Sequence, residues 1–130
     1  MTKALLAALM AILVSPLLPA ADSDSELYAK VYPRAHDMGA TPEGKAYEKR
    51  FSEAFGKPMQ AALQDCTKDT KPPYLVNVVF VIAADGTTQR IVTAPDQPVS
   101  ACVANKLKNL KLPAPPKPNW MVAVNITIKE

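Results

Sequence analysis

A chain of 130 residues with a formal charge of +3, spread over 15 basic and 12 acidic residues, suits one small domain. It lacks the concentrated positive charge of a nucleic-acid binder. Thirteen prolines against four glycines mark element boundaries and the stretch Pro113 to Pro118, without forming a repeat.

The chain opens on a targeting pattern. Lys3 supplies a short positive region, Ala4 to Val14 an apolar core, and Ser15 to Ala21 a helix-breaking stretch with small residues suited to cleavage. A cleavable signal peptide over residues 1–21 is therefore expected, with the mature chain starting near Asp22. The apolar run is shorter than the roughly 20 residues a spanning helix needs. A periplasmic or secreted protein, with no stable membrane insertion after cleavage, follows from that reading.

Residues 22–41 read as an N-terminal extension, partly irregular. The polar start Asp22 to Glu26 caps a short helix through Leu27, Tyr28 and Val31, and Tyr32 to Thr41, with Pro33 and Gly39, reads as a linker. Residues 42–130 form the single domain. Thr41-Pro42-Glu43-Gly44 starts a helix whose Tyr47, Phe51 and Phe55, at four-residue steps, make an aromatic core stripe. Gly56-Lys57-Pro58 is expected to interrupt it before Met59, Ala62, Leu63 and Cys66 resume the pattern, which ends ahead of Lys71-Pro72-Pro73.

The second half turns to strands. Tyr74 to Ile82 is a run of β-branched and aromatic residues of the length of a buried strand. Asp85-Gly86 provides a hairpin turn, and Thr88 to Ala94 returns as a shorter, more polar strand. Val99 to Leu110 has helical period, with Val99, Cys102, Val103, Leu107 and Leu110 on one face. From Trp120 to Lys129 the period is two: Trp120, Val122, Val124, Ile126 and Ile128 alternate with Met121, Ala123, Asn125, Thr127 and Lys129. The expected fold class is α+β: N-terminal helices followed by a β-hairpin, helix and strand (α-β-β-α-β), with an antiparallel three-stranded sheet packed on helices.

Two cysteines in an exported chain favour a structural disulfide between Cys66 and Cys102. Closing the loop between them contributes roughly 3 to 4 kcal/mol on the chain-entropy argument. There is no Cys-x-x-Cys motif for redox chemistry and no short-spaced ligand set for zinc. His36 is the only histidine, in the expected linker, with no serine or cysteine near it. No phosphate-cradling loop or paired-carboxylate pattern stands out, and acids such as Glu43, Glu48 and Glu53 read as ordinary surface residues. The expectation is a protein that is not an enzyme and carries no cofactor, with Tyr32, His36 and Met38 the only candidate soft metal ligands.

The order of hairpin, helix and strand after a preceding helix resembles the TonB C-terminal-domain-like family. Val76 to Gly86 leads the hairpin, followed by Ile91 to Pro95, Ser100-Ala101-Cys102-Val103, Leu112-Pro113-Ala114-Pro115 and Met121 to Lys129. The paired cysteines make the chain look like the small, free-standing periplasmic relatives. It departs from the energy-coupling members, which resemble an anchored chain with a long proline-rich spacer. A three-stranded sheet leaves at least one edge with unpaired backbone donors and acceptors, and the last strand, with Trp120, Asn125, Thr127 and Lys129, is the candidate edge to offer a partner. The leading expectation is a non-catalytic periplasmic protein that binds another envelope protein or peptide by strand addition. Two alternatives are an inhibitor or immunity protein that occludes a toxin or hydrolase, and a metal or small-ligand carrier using His36 and Met38.

Overall fold

A computed structural model describes residues 24–129; the expected signal peptide lies outside the described residues. Helices α1 (Asp24–Ala40) and α2 (Pro42–Cys66) are followed by strands β1 (Tyr74–Ile82) and β2 (Thr88–Ala94), helix α3 (Pro98–Leu107) and strand β3 (Trp120–Ile128). The strands form one antiparallel sheet in the order β2-β1-β3. This is the α+β arrangement expected from the sequence, with helices on both faces of the sheet.

Central β1 explains its own composition. Val78, Val79 and Phe80 are all buried, although successive side chains of a strand point to opposite faces. One face, carrying Val76, Val78, Phe80 and Ile82, packs with Trp120 and Val122 of β3 against α2 and α3. Phe51 and Phe55 of α2 meet Phe80 edge-on, with ring centroids 5.5 and 5.6 Å apart. The other face, with Val79 and Val92, packs against Val31 and Ala35 of α1.

Two local expectations are corrected. Tyr32 to Thr41 is not a linker: α1 continues through Pro33 to Ala40. The N-terminal extension is thus a helical layer of the domain from Asp24 onward. Leu27, Val31 and Ala35 recur at four-residue steps toward the sheet, whereas Pro33 points to solvent. Its missing N–H releases a backbone carbonyl on the exposed side, and burial of the other side offsets the loss. Likewise α2 runs unbroken past Gly56 and Pro58, since Phe55, Met59 and Ala62 keep one continuous buried stripe. Its start follows the sequence signal: the Thr41 Oγ1 accepts from the Gly44 N–H at 3.0 Å, and Pro42 occupies the first turn.

Cys66, the last residue of α2, is bonded to Cys102 in α3, with Cα atoms 5.7 Å apart. Beside it, Asp65 of α2 lies 3.3 Å from Lys68 and 3.5 Å from Lys106 of α3. These two ammonium groups hold its carboxyl below the usual carboxylate range. Both links fasten α3 to α2 over the same face of the sheet.

The proline-rich segment after α3 is strapped across the hairpin. In the turn, Gly86 has φ +91 and a Cβ there would overlap the Leu112 carbonyl, so both dihedral and space require glycine. The Gly86 carbonyl accepts from the Leu112 N–H at 2.9 Å, and the Thr88 hydroxyl donates to the Leu110 carbonyl at 2.7 Å. Tyr47, fully buried on α2, donates its phenol to the Pro113 carbonyl at 2.8 Å. Burial pushes that phenol above its ordinary value of 10.0, against an opposing pull from Arg50.

Replacing both cysteines with serine should lower the unfolding free energy by about 2 to 4 kcal/mol, measured by urea titration, with reduction of the native protein giving a similar loss. Tyr47→Phe should cost about 1 kcal/mol at neutral pH through the lost hydrogen bond. A folded-state value raised above 10.0 contributes stability that is complete below pH 10 and lost as pH climbs through the raised value. Tyr47→Phe should therefore flatten the alkaline decline in melting temperature.

A candidate peptide-binding edge

Strand β3 has β1 on one side and, among the described residues, no strand on the other. Its backbone polarity follows from one contact: the Met121 N–H donates to the Met38 Sδ of α1 at 3.3 Å, so this amide points away from β1. Backbone direction alternates along an antiparallel strand. The N–H and C=O groups of Ala123, Asn125 and Thr127 therefore point outward as well, while those of Val122, Val124 and Ile126 face β1. The register sets Val122 opposite Phe80 and Val124 opposite Val78.

Helix α1 runs alongside β3 in the opposite direction. Tyr28 donates its phenol to the Asn125 Oδ1 at 2.9 Å near one end, and Met38 caps Met121 near the other. Burial, and then the charge that the neighbouring Tyr32 phenol can carry, raises the Tyr28 phenol above its ordinary value and keeps it a donor. The α1–α2 connection passes the start of β3, where Thr41 donates to the Met38 carbonyl at 2.8 Å. Sulfur and connection thus close the edge at Met121, and among the described residues the stretch from Ala123 to Thr127 remains open.

Two depressions flank this stretch. One, of about 260 Å³, lies between Ala123 and Asn125 of β3, Tyr32 and His36 of α1, and Glu48 of α2. The other, of about 270 Å³, is bordered by Glu48, Ser52 and Phe55 of α2 and by Val124 and Asn125 of β3. The odd-numbered β3 side chains lie toward α1 and the even-numbered ones toward α2 and α3.

The sequence-derived residues divide between surface and core. Asn125, Thr127 and Lys129 are exposed, and the first two lie in the open stretch. Trp120, expected to face a partner, is only 3% exposed: its ring packs edge-on against Tyr47, with centroids 6.0 Å apart, and belongs to the core. Its position on the apolar side of the period-two alternation is the physical reason. His36 and Tyr32 line the first depression, whereas Met38 is directed to the Met121 amide, so the expected soft-ligand trio is divided. His36 is exposed, its Nδ1 3.7 Å from an Asp37 carboxylate oxygen. Among the described residues no group of three or more His, Cys, Asp and Glu is arranged to hold a metal ion.

Sequence reading missed Met38 as the cap of the edge and Glu48 as the residue shared by both depressions. The four-residue spacing of Leu27, Val31 and Ala35 was the available sign that α1 continues over the sheet. Nothing in the sequence distinguishes Glu48 from the other acids of α2. No family model, curated protein or solved structure matches the chain, and the site rests on its geometry.

Amide hydrogen exchange followed by NMR should show the alternation directly. The amides of Val122, Val124 and Ile126 should exchange slowly and those of Ala123, Asn125 and Thr127 rapidly. Slow exchange at all six would contradict an open edge.

Proposed function

We propose that the protein is a non-catalytic, exported binding module that takes an extended segment of another envelope protein or peptide onto the free edge of β3. The observation that carries this reading is the open stretch from Ala123 to Thr127, whose outward N–H and C=O groups lie between two side-chain-sized depressions. An added strand would satisfy these backbone groups and place alternate side chains toward α1 and α2.

The chemistry of the edge supports the same role. Edge strands are commonly blunted by proline, bulges or charge. Between Ala123 and Ile128 β3 has none of these. The other edge is less accessible at its start: the β1–β2 register shifts between Val81 and Ile82, and Thr88 is tied to the segment after α3. The hairpin, helix and strand order that resembles the TonB C-terminal-domain-like family is consistent with edge recognition, and the apolar leader with work outside the cytoplasm.

Thr127→Pro is the direct test, because it removes an outward N–H that β1 does not use. The variant should fold with a melting temperature close to that of the native protein. Photo-crosslinking from position 125 in envelope extracts should capture a partner with the native chain and lose it with Thr127→Pro. Capture that survives the substitution would remove β3 as the binding edge, and capture of a single stoichiometric hydrolase would identify inhibition as the outcome of binding.

A further inference from the structure

Glu48 occupies an unusual electrostatic position beside the open edge. It is half-buried on α2 and borders both depressions. A Cβ built on Gly39 would overlap the Glu48 Oε1, which places the carboxylate against the last turn of α1. That turn presents the negative end of the helix dipole and contains no basic residue. A half-buried carboxylate and the C-terminal turn of α1 therefore meet beside Ala123, with the Met38 carbonyl of that turn already accepting from the Thr41 N–H and hydroxyl.

The cation that such a site favours is not supplied by the described residues. Asp24, Asp65 and Glu43 each lie within 4.0 Å of a lysine or arginine, namely Arg90, Lys68 with Lys106, and Lys117. Glu48 has no such neighbour among the described residues. The remaining polar groups of its depression are the Tyr32 phenol, the His36 imidazole and the Asn125 amide, whose Oδ1 already accepts from Tyr28. The volume of about 260 Å³ is suited to one long side chain.

We infer that the segment added to β3 carries a lysine or arginine whose side chain enters the depression between α1 and α2 and pairs with Glu48. This assignment rests on the edge-binding function proposed above and specifies the partner's chemistry. An acidic side chain would meet the carboxylate and the helix terminus with like charge, and an apolar one would desolvate the carboxylate without compensation. A basic side chain relieves both, and its aliphatic stem can lie along Ala123 and the small residues of α1.

Selection of a displayed library of short random linear peptides on the immobilised full mature protein tests this even while the natural partner is unidentified. Peptides retained by the native protein should carry lysine or arginine at one position about fivefold or more above the library frequency. The preference should vanish on Glu48→Gln and on Glu48→Ala, which serves as a second neutral variant, and invert toward aspartate or glutamate on Glu48→Lys. All retained peptides should be lost on Thr127→Pro. Far-UV circular dichroism and melting curves matching the native protein establish that each variant is folded.

Peptides lost on Thr127→Pro but showing no basic preference would overturn the Glu48 assignment and leave edge binding intact. A basic preference that persists on both neutral variants would do the same, because the cation would then pair elsewhere. Retention insensitive to Thr127→Pro, or no enrichment at all, would overturn edge binding and the Glu48 assignment together.

Discussion

The burial of β1 on both faces is the constraint from which the rest of the domain follows. Val76, Val78, Phe80 and Ile82 turn one way and Val79 the other, and all five are 0% exposed. A sheet with one wet face would leave Val79 and Val92 in water, so a second helical layer is required. Helix α1 supplies it. Its amphipathic stripe outweighs Pro33, because the hydrophobic contribution of the buried side chains exceeds the loss of one solvent-side hydrogen bond.

The same layer shapes the candidate site. Because α1 covers one face and α2 the other, their short connection must pass an edge of the sheet, and it does so at the start of β3. One amide is closed by the Met38 sulfur, and the edge beyond it is open between the two helices. Edge, depressions and the position of Glu48 are thus consequences of a three-layer packing arrangement. Cys66–Cys102 and the strap over Gly86 hold α3 and the hairpin on the opposite side. The free edge is consequently part of a braced framework.

Glu48 also illustrates how the energetic meaning of a residue depends on its surroundings. The neighbouring acids on α2 differ little from it in composition or spacing. Glu43 reaches Lys117 at 3.6 Å, whereas Glu48 is directed to the terminal turn of α1 and the edge of β3. An isolated half-buried carboxylate is a weak contributor to folding stability and a strong discriminator of charge in whatever binds there.

The amino-acid sequence alone determined the elements whose signals are local. The period of two from Trp120 onward, the β-branched run at Tyr74 to Ile82, the Asp85-Gly86 turn and the Thr41-Pro42 helix start all correspond to elements of the structure, because backbone sterics and side-chain alternation act over a few residues. The pairing of Cys66 with Cys102 was likewise legible from the even number of cysteines. Tertiary structure decided whether Pro33 and Pro58 break their helices, that Trp120 is core, and that Glu48 stands without a lysine or arginine beside an open strand among the described residues. Each of these depends on what packs against the residue from far along the chain, and local propensity carries no record of that free energy.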